Sequence, residues 1–95
     1  MELTPLQSVL LDRLRSAVKG NSSRRVVYCT EYLGYLPFGF YHWVEADGQD
    51  VSLSFPDEWR RTDLEALEKA GLLVKMEEWE NPHDQLETKI TYEVA

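Results

Sequence analysis

The sequence predicts a small α+β domain, with antiparallel β-hairpins packed against two main helices. Three observations predict it. A capped amphipathic segment opens the chain, an Asp47-Gly48 dipeptide separates two alternating apolar runs, and a second amphipathic segment stops at Gly71 before two more alternating runs. The order that results is α-β-ββ-α-ββ. Chains of this kind cover one face of a small sheet with helices. Residues 1–95 read as a single domain, since they contain no repeat, low-complexity tract or internal linker. A chain of this size buries roughly 60–65% of its unfolded surface, enough for one core.

The first helix is expected over 5–19. Thr4 can cap it, Pro5 suits the first helical position, and Gln7 completes a Thr-x-x-Gln capping box. Leu6, Val9, Leu10, Leu14, Ala17 and Val18 recur at helical spacing, and Gly20 suits the left-handed residue beyond a helix end. Residues 20–23, "GNSS", read as a loop. Residues 24–30, "RRVVYCT", are β-branched and aromatic and read as a strand. Gly34 and Pro37 punctuate 31–37, so a turn or irregular crossing is expected there.

Residues 38–55 predict a hairpin. Asp-Gly is favoured in two-residue type I′ turns, where both positions need positive φ. From that turn Ala46 faces Gln49 and Val44 faces Val51, and continued pairing sets His42 against Leu53 and Phe40 against Phe55. This face, with its run of apolar residues, is the expected core. The other face pairs Glu45 with Asp50, Trp43 with Ser52 and Tyr41 with Ser54. Two serines and two opposed acids suit a solvated surface, which singles out Tyr41 and Trp43 as exposed aromatics. Six of the twelve residues 32–43 are aromatic, of eleven in the chain; Phe40 falls on the core face, Tyr32 and Tyr35 lie in the unassigned 31–37, and Tyr41 and Trp43 are the two set on the solvated face.

A second helix is expected within 56–70, opened by Pro56 or restarted by the Thr62–Glu65 capping pattern. Leu64, Leu67 and Ala70 form its buried stripe, with Trp59 as an outlying anchor. Gly71 ends it. Residues 72–79 and 87–94 then read as two strands joined by a polar, mobile loop at 80–86.

The run "TDLEALEKAGLLVKMEEW…ETKITYEV" resembles the end of a winged-helix domain. There a helix passes through a Leu-x-x-Leu-x-x-x-Gly-Leu-type run straight into a β-hairpin wing. Leu64, Leu67, Gly71, Leu72 and Val74 carry the likeness, over about a third of the chain. The resemblance implies a winged-helix scaffold and, as one reading, a DNA-binding transcription regulator using Arg24, Arg25, Arg60 and Arg61. The charge points elsewhere. The helix that would enter the major groove has five acids against three bases, and the wing tip has no Lys or Arg. Tracking phosphates requires clustered cations.

Composition narrows the function further. The net charge is −7, from 17 acids and 10 bases, which repels nucleic acid and anionic membranes at long range. No apolar run reaches the ~18 residues that span a membrane. With one cysteine and no basic, apolar leader, a reducing, cytoplasmic location is expected. No catalytic set emerges. Cys29 lies in a β-branched strand, where burial makes a thiol inert. His42 falls on the core face. His83 with Glu80, Asp84 and Glu87 lacks the preset geometry of a metal site, and no cofactor motif is present. The expectation is therefore a non-enzymatic interaction or regulatory module, without metal or cofactor. Its partner is another protein or a second copy of itself. The partner-binding residues are Tyr41, Trp43, Glu45 and Asp50.

Overall fold

The structure, a computed structural model, describes residues 3–20, 23–32 and 40–95; of residues 32, 40 and 84–86 it describes the backbone alone. The expected turn or crossing at 31–37 lies outside the described residues from 33 onward, as do the rings of Tyr35 and Phe38. The elements follow as α1 (Pro5–Val18), β1 (Arg25–Tyr32), β2 (Phe40–Ala46), β3 (Gln49–Asp50), a 3-10 turn (Ser52–Ser54), α2 (Arg61–Lys69), β4 (Leu73–Asn81) and β5 (Asp84–Val94). The strands form one antiparallel sheet in the order β3-β2-β1-β5-β4. This is the α+β architecture that the sequence predicts.

Both helices lie on one face of that sheet. From α1, Leu10, Leu11, Leu14 and Val18 enter the core, and from α2, Leu64 and Leu67 do. They meet Val26 and Tyr28 of β1, Val44 and Ala46 of β2, and Ile90, Tyr92 and Val94 of β5. Removing this apolar area from water is the main stabilising term. Leu11 takes a buried place where the spacing suggested Val9, which is exposed.

The start of α1 follows from its sequence. Thr4 Oγ1 accepts from Gln7 N at 3.1 Å, and Gln7 Oε1 accepts from Thr4 N at 3.0 Å, so two otherwise orphaned amides are satisfied. At its other end Gly20 adopts φ +86°, the left-handed conformation expected of it.

The start of α2 differs from expectation. Glu58 has φ +70°, which interrupts any helix begun at Pro56. The helix instead begins after Arg60, whose N–H donates to Asp63 Oδ2 at 2.9 Å. Thr62 is already helical. At the end, Leu72 N donates to Leu67 O at 2.9 Å around Gly71, whose φ is +78°. Six-to-one bonding around a left-handed glycine closes the helix and turns the chain into β4.

The Asp47-Gly48 turn forms with φ +53° and +79°, and it pairs Glu45 with Asp50 and Ala46 with Gln49. The hairpin is much shorter than expected. Val51 N still reaches Val44 O at 2.9 Å, but Asp50 Oδ1 then accepts from Ser52 N at 2.8 Å. This local side-chain bond competes with the ladder and bends the chain into the 3-10 turn. The expected pairs Trp43–Ser52, Tyr41–Ser54, His42–Leu53 and Phe40–Phe55 therefore do not form, and Leu53 is 88% exposed rather than core. Beyond the turn Phe55 re-enters the core. The long partner of β2 is β1, which sets Cys29 opposite Trp43 and Glu31 opposite Tyr41.

The expected loop at 80–86 is also a correction. Both strands run on, Asn81 pairs with Asp84, and Pro82 and His83 make the turn. Asn81 Oδ1 accepts from His83 N at 2.9 Å and Asn81 Nδ2 donates to Glu87 at 2.9 Å, so polar side chains brace this turn.

Candidate functional site

Strand alternation sorts the sheet's side chains onto two faces. Val26, Tyr28 and Thr30 of β1 point toward the helices, so Val27, Cys29 and Glu31 point away. Register carries this second face across the sheet. Tyr41, Trp43 and Glu45 extend it over β2, and Asp50 over β3. Lys89, Thr91 and Glu93 extend it over β5. The four proposed partner-binding residues thus share one face, and neither helix lies on it.

On this face Tyr41 is 40% exposed. Trp43 is half-buried, and its indole Nε1–H donates to Glu45 Oε2 at 2.7 Å. The bond fixes the ring and satisfies its one polar atom. Glu45 and Asp50 stand opposite each other as a like-charged pair at the edge of the patch.

Trp79 is the aromatic that the sequence did not assign. Simple alternation from the buried Leu73 would turn it toward the helices. Instead Lys75 pairs with Tyr92 while Glu77 pairs with Thr91, so one extra residue, Met76, is accommodated as a bulge. A one-residue slip reverses every later side chain. Trp79 consequently stands on the open face, 43% exposed, opposite Lys89. Lys89 Nζ lies 5.9 Å from the indole centroid. Trp43, Cys29, Lys89 and Trp79 then form one row across β2, β1, β5 and β4. At about 4.8 Å between strands, the two tryptophan backbones are roughly 14 Å apart.

Cys29 sits between them and is buried. Its thiol is pushed up to about 11, first by burial and then by the charge of Glu45, with Lys89 opposing and Asp50 adding. A thiol so protonated is a poor nucleophile. Register also separates it from His42, whose partner is Thr30 on the helix-bearing face. Cys29 and His42 therefore form no nucleophile pair.

His42 belongs to an aromatic cluster under the helices. Its Nδ1 is 3.0 Å from Tyr28 Oη, and its ring stacks on Trp59 at 4.3 Å. Tyr28 and Phe55 meet Trp59 edge-on at 6.0 and 5.3 Å. Burial lowers the His42 pKa and pushes Tyr28 up to about 12. Trp59, expected as an anchor, is where this cluster centres.

The arginines of the alternative site are mostly engaged. Arg24 donates to the carbonyl of Val94 at 3.1 Å, Arg25 lies 4.0 Å from Glu93, and Arg61 lies 3.2 Å from Glu65. Arg60 lies on the surface at the start of α2. Among the described residues no three His, Cys, Asp or Glu side chains gather as a metal would require. No described helix is long and apolar enough to cross a membrane. Comparison with protein-family models, with curated proteins and with solved structures finds no match for this chain.

Proposed function

We propose that this chain is a non-enzymatic protein-interaction module, a small acidic adaptor or regulatory subunit. It binds its partner on the open face of the sheet, with Tyr41 and Trp43 as anchors and Glu45 and Asp50 at the rim. One observation carries this reading. Tyr41 and Trp43 of β2 project away from both helices, where Tyr41 is exposed and Trp43 half-buried. Tyrosine and tryptophan are enriched among residues that dominate binding energy, because they bury large rigid area at low entropic cost.

The test is affinity capture from source-cell lysate, with and without nuclease, using wild type beside Tyr41→Ser/Trp43→Ser. The double variant is expected to stay folded, its Tm lowered by roughly 5–10 °C, since about 1 kcal/mol moves Tm by ~4–8 °C in a domain this small. A protein captured by wild type in both lysates should be lost. Recovery of nucleic acid that nuclease abolishes and the double variant leaves unchanged would instead point to the arginine surface and overturn the proposal.

A further inference from the structure

The charge and width of the open face specify what it holds. Val27, Cys29 and Thr91 occupy its centre, Cys29 already covered by its neighbours, and Lys89 stands between Cys29 and Trp79. Trp43 and Trp79 rise on either side, their backbones roughly 14 Å apart by strand spacing. An α-helix with its side chains measures about 10–12 Å across. A helix laid along this face between the two indoles would rest on Val27, Thr91 and the stem of Lys89, whereas an added strand would join a sheet edge and leave the face uncontacted.

The charge selects the kind of helix. Glu31, Glu45, Asp50, Glu77 and Glu93 flank the floor by register. Against them stand Arg25 and Lys89. Arg25 lies 4.0 Å from Glu93, and Lys89 is drawn 5.9 Å from the Trp79 ring centroid. A second copy of this chain would set these acids against themselves and carries a further −7. Like charges across an interface are costly, and complementary ones favour encounter.

We infer that the open face holds an amphipathic helix of a basic partner protein. Its apolar stripe lies between Trp43 and Trp79 over Val27 and Thr91, and its Lys and Arg side chains meet Glu45, Asp50 and Glu77. The inference rests on the interaction reading above and adds the shape and charge of the partner.

The test is an NMR titration of the isotope-labelled full chain with two synthetic 18-residue amphipathic helices. One has leucine on one face and lysine on the other; its counterpart has glutamate in place of lysine. The lysine peptide is expected to saturate at one per chain. It should shift the indole N–H signals of Trp43 and Trp79 and the amides of Val27, Cys29 and Thr91, leaving that of Trp59 in place. The glutamate peptide should shift none of them. Glu45→Gln/Glu77→Gln should weaken the lysine peptide about fivefold to tenfold, and Trp79→Ser should weaken it at least as much. Neither double nor single variant touches the core. Shifts confined to α1 or α2 would overturn the inference, as would affinity unchanged by the glutamine variants, or concentration-dependent shifts of the same amides with no peptide present. Capture that depends on Tyr41 and Trp43, alongside a face that ignores the lysine peptide, would sink the basic helix and leave the module standing.

Discussion

His42 shows how one half-buried side chain makes stability depend on pH. Its ring lies flat on Trp59 and bonds to Tyr28, and burial lowers its pKa. Around Tyr28 the acting charges are Arg61 and Glu65 of α2. An imidazole ordinarily titrates near 6.5. With the folded value below that, the unfolded chain takes up the proton first as pH falls. The stabilisation is complete above the unfolded value and is lost between it and the folded one, with a slope of at most about 1.4 kcal/mol per pH unit. Thermal melts between pH 7.5 and 5.5 should show Tm falling in wild type and a flatter response in His42→Gln. Equal slopes in both would assign the effect elsewhere. That His42 faces the core was legible from alternation around Asp47-Gly48. Its stacking on Trp59 was not, because Trp59 comes from a non-helical stretch after the 3-10 turn whose path no periodicity reports.

At the scale of elements, local chemistry decided what could be read. The Thr4–Gln7 box and the Asp47-Gly48 turn are complete within four residues, and both form as their residues dictate. The start of α2 is set less obviously, by Asp63 reaching back to Arg60 N and across to Gln7 Nε2 at 3.2 Å. Asp63→Ala removes both bonds and should cost about 1 kcal/mol, measured by urea unfolding. A loss well under half of that would mean that water replaces them. The short β3 also has a local cause, the Asp50–Ser52 bond, and Asp-Val-Ser just beyond a tight turn is a signal that hydrophobic alternation overrides on paper. The bulge in β4 has no comparable signal. Nothing in "LLVKMEEW" marks Met76 as the extra residue; the register of β5 imposes it. Trp79 therefore escaped sequence reasoning while Tyr41 and Trp43 did not.

For the molecule as a whole, the helix-bearing face could be read from composition because apolar side chains declare themselves. The open face depends on which strands become neighbours. Placing β1 between β2 and β5 brings Cys29 against both Trp43 and Lys89, although Lys89 is 60 positions further along the chain. Long-range pairing of this kind leaves no trace in a window of sequence.

The same bulge bears on how the protein behaves in crowded company. Strand β4 is an outer strand, nine residues long, with one row of amides and carbonyls turned to solvent. Such a border invites a strand from another molecule and, repeated, a fibril. At Met76 the border is kinked, and Lys75, Glu77, Glu78 and Glu80 crowd it with charge, so stacking cannot continue in register. Deleting Met76 would straighten it and leave Trp79 opposite Lys89 on the open face, because Lys75 and Glu77 already pair with consecutive residues of β5. The shortened chain should bind thioflavin T on prolonged incubation while wild type stays dark; if both stay dark, the charges alone are sufficient. One looped-out residue thus keeps other molecules from polymerising on the border without displacing the indole used for recognition.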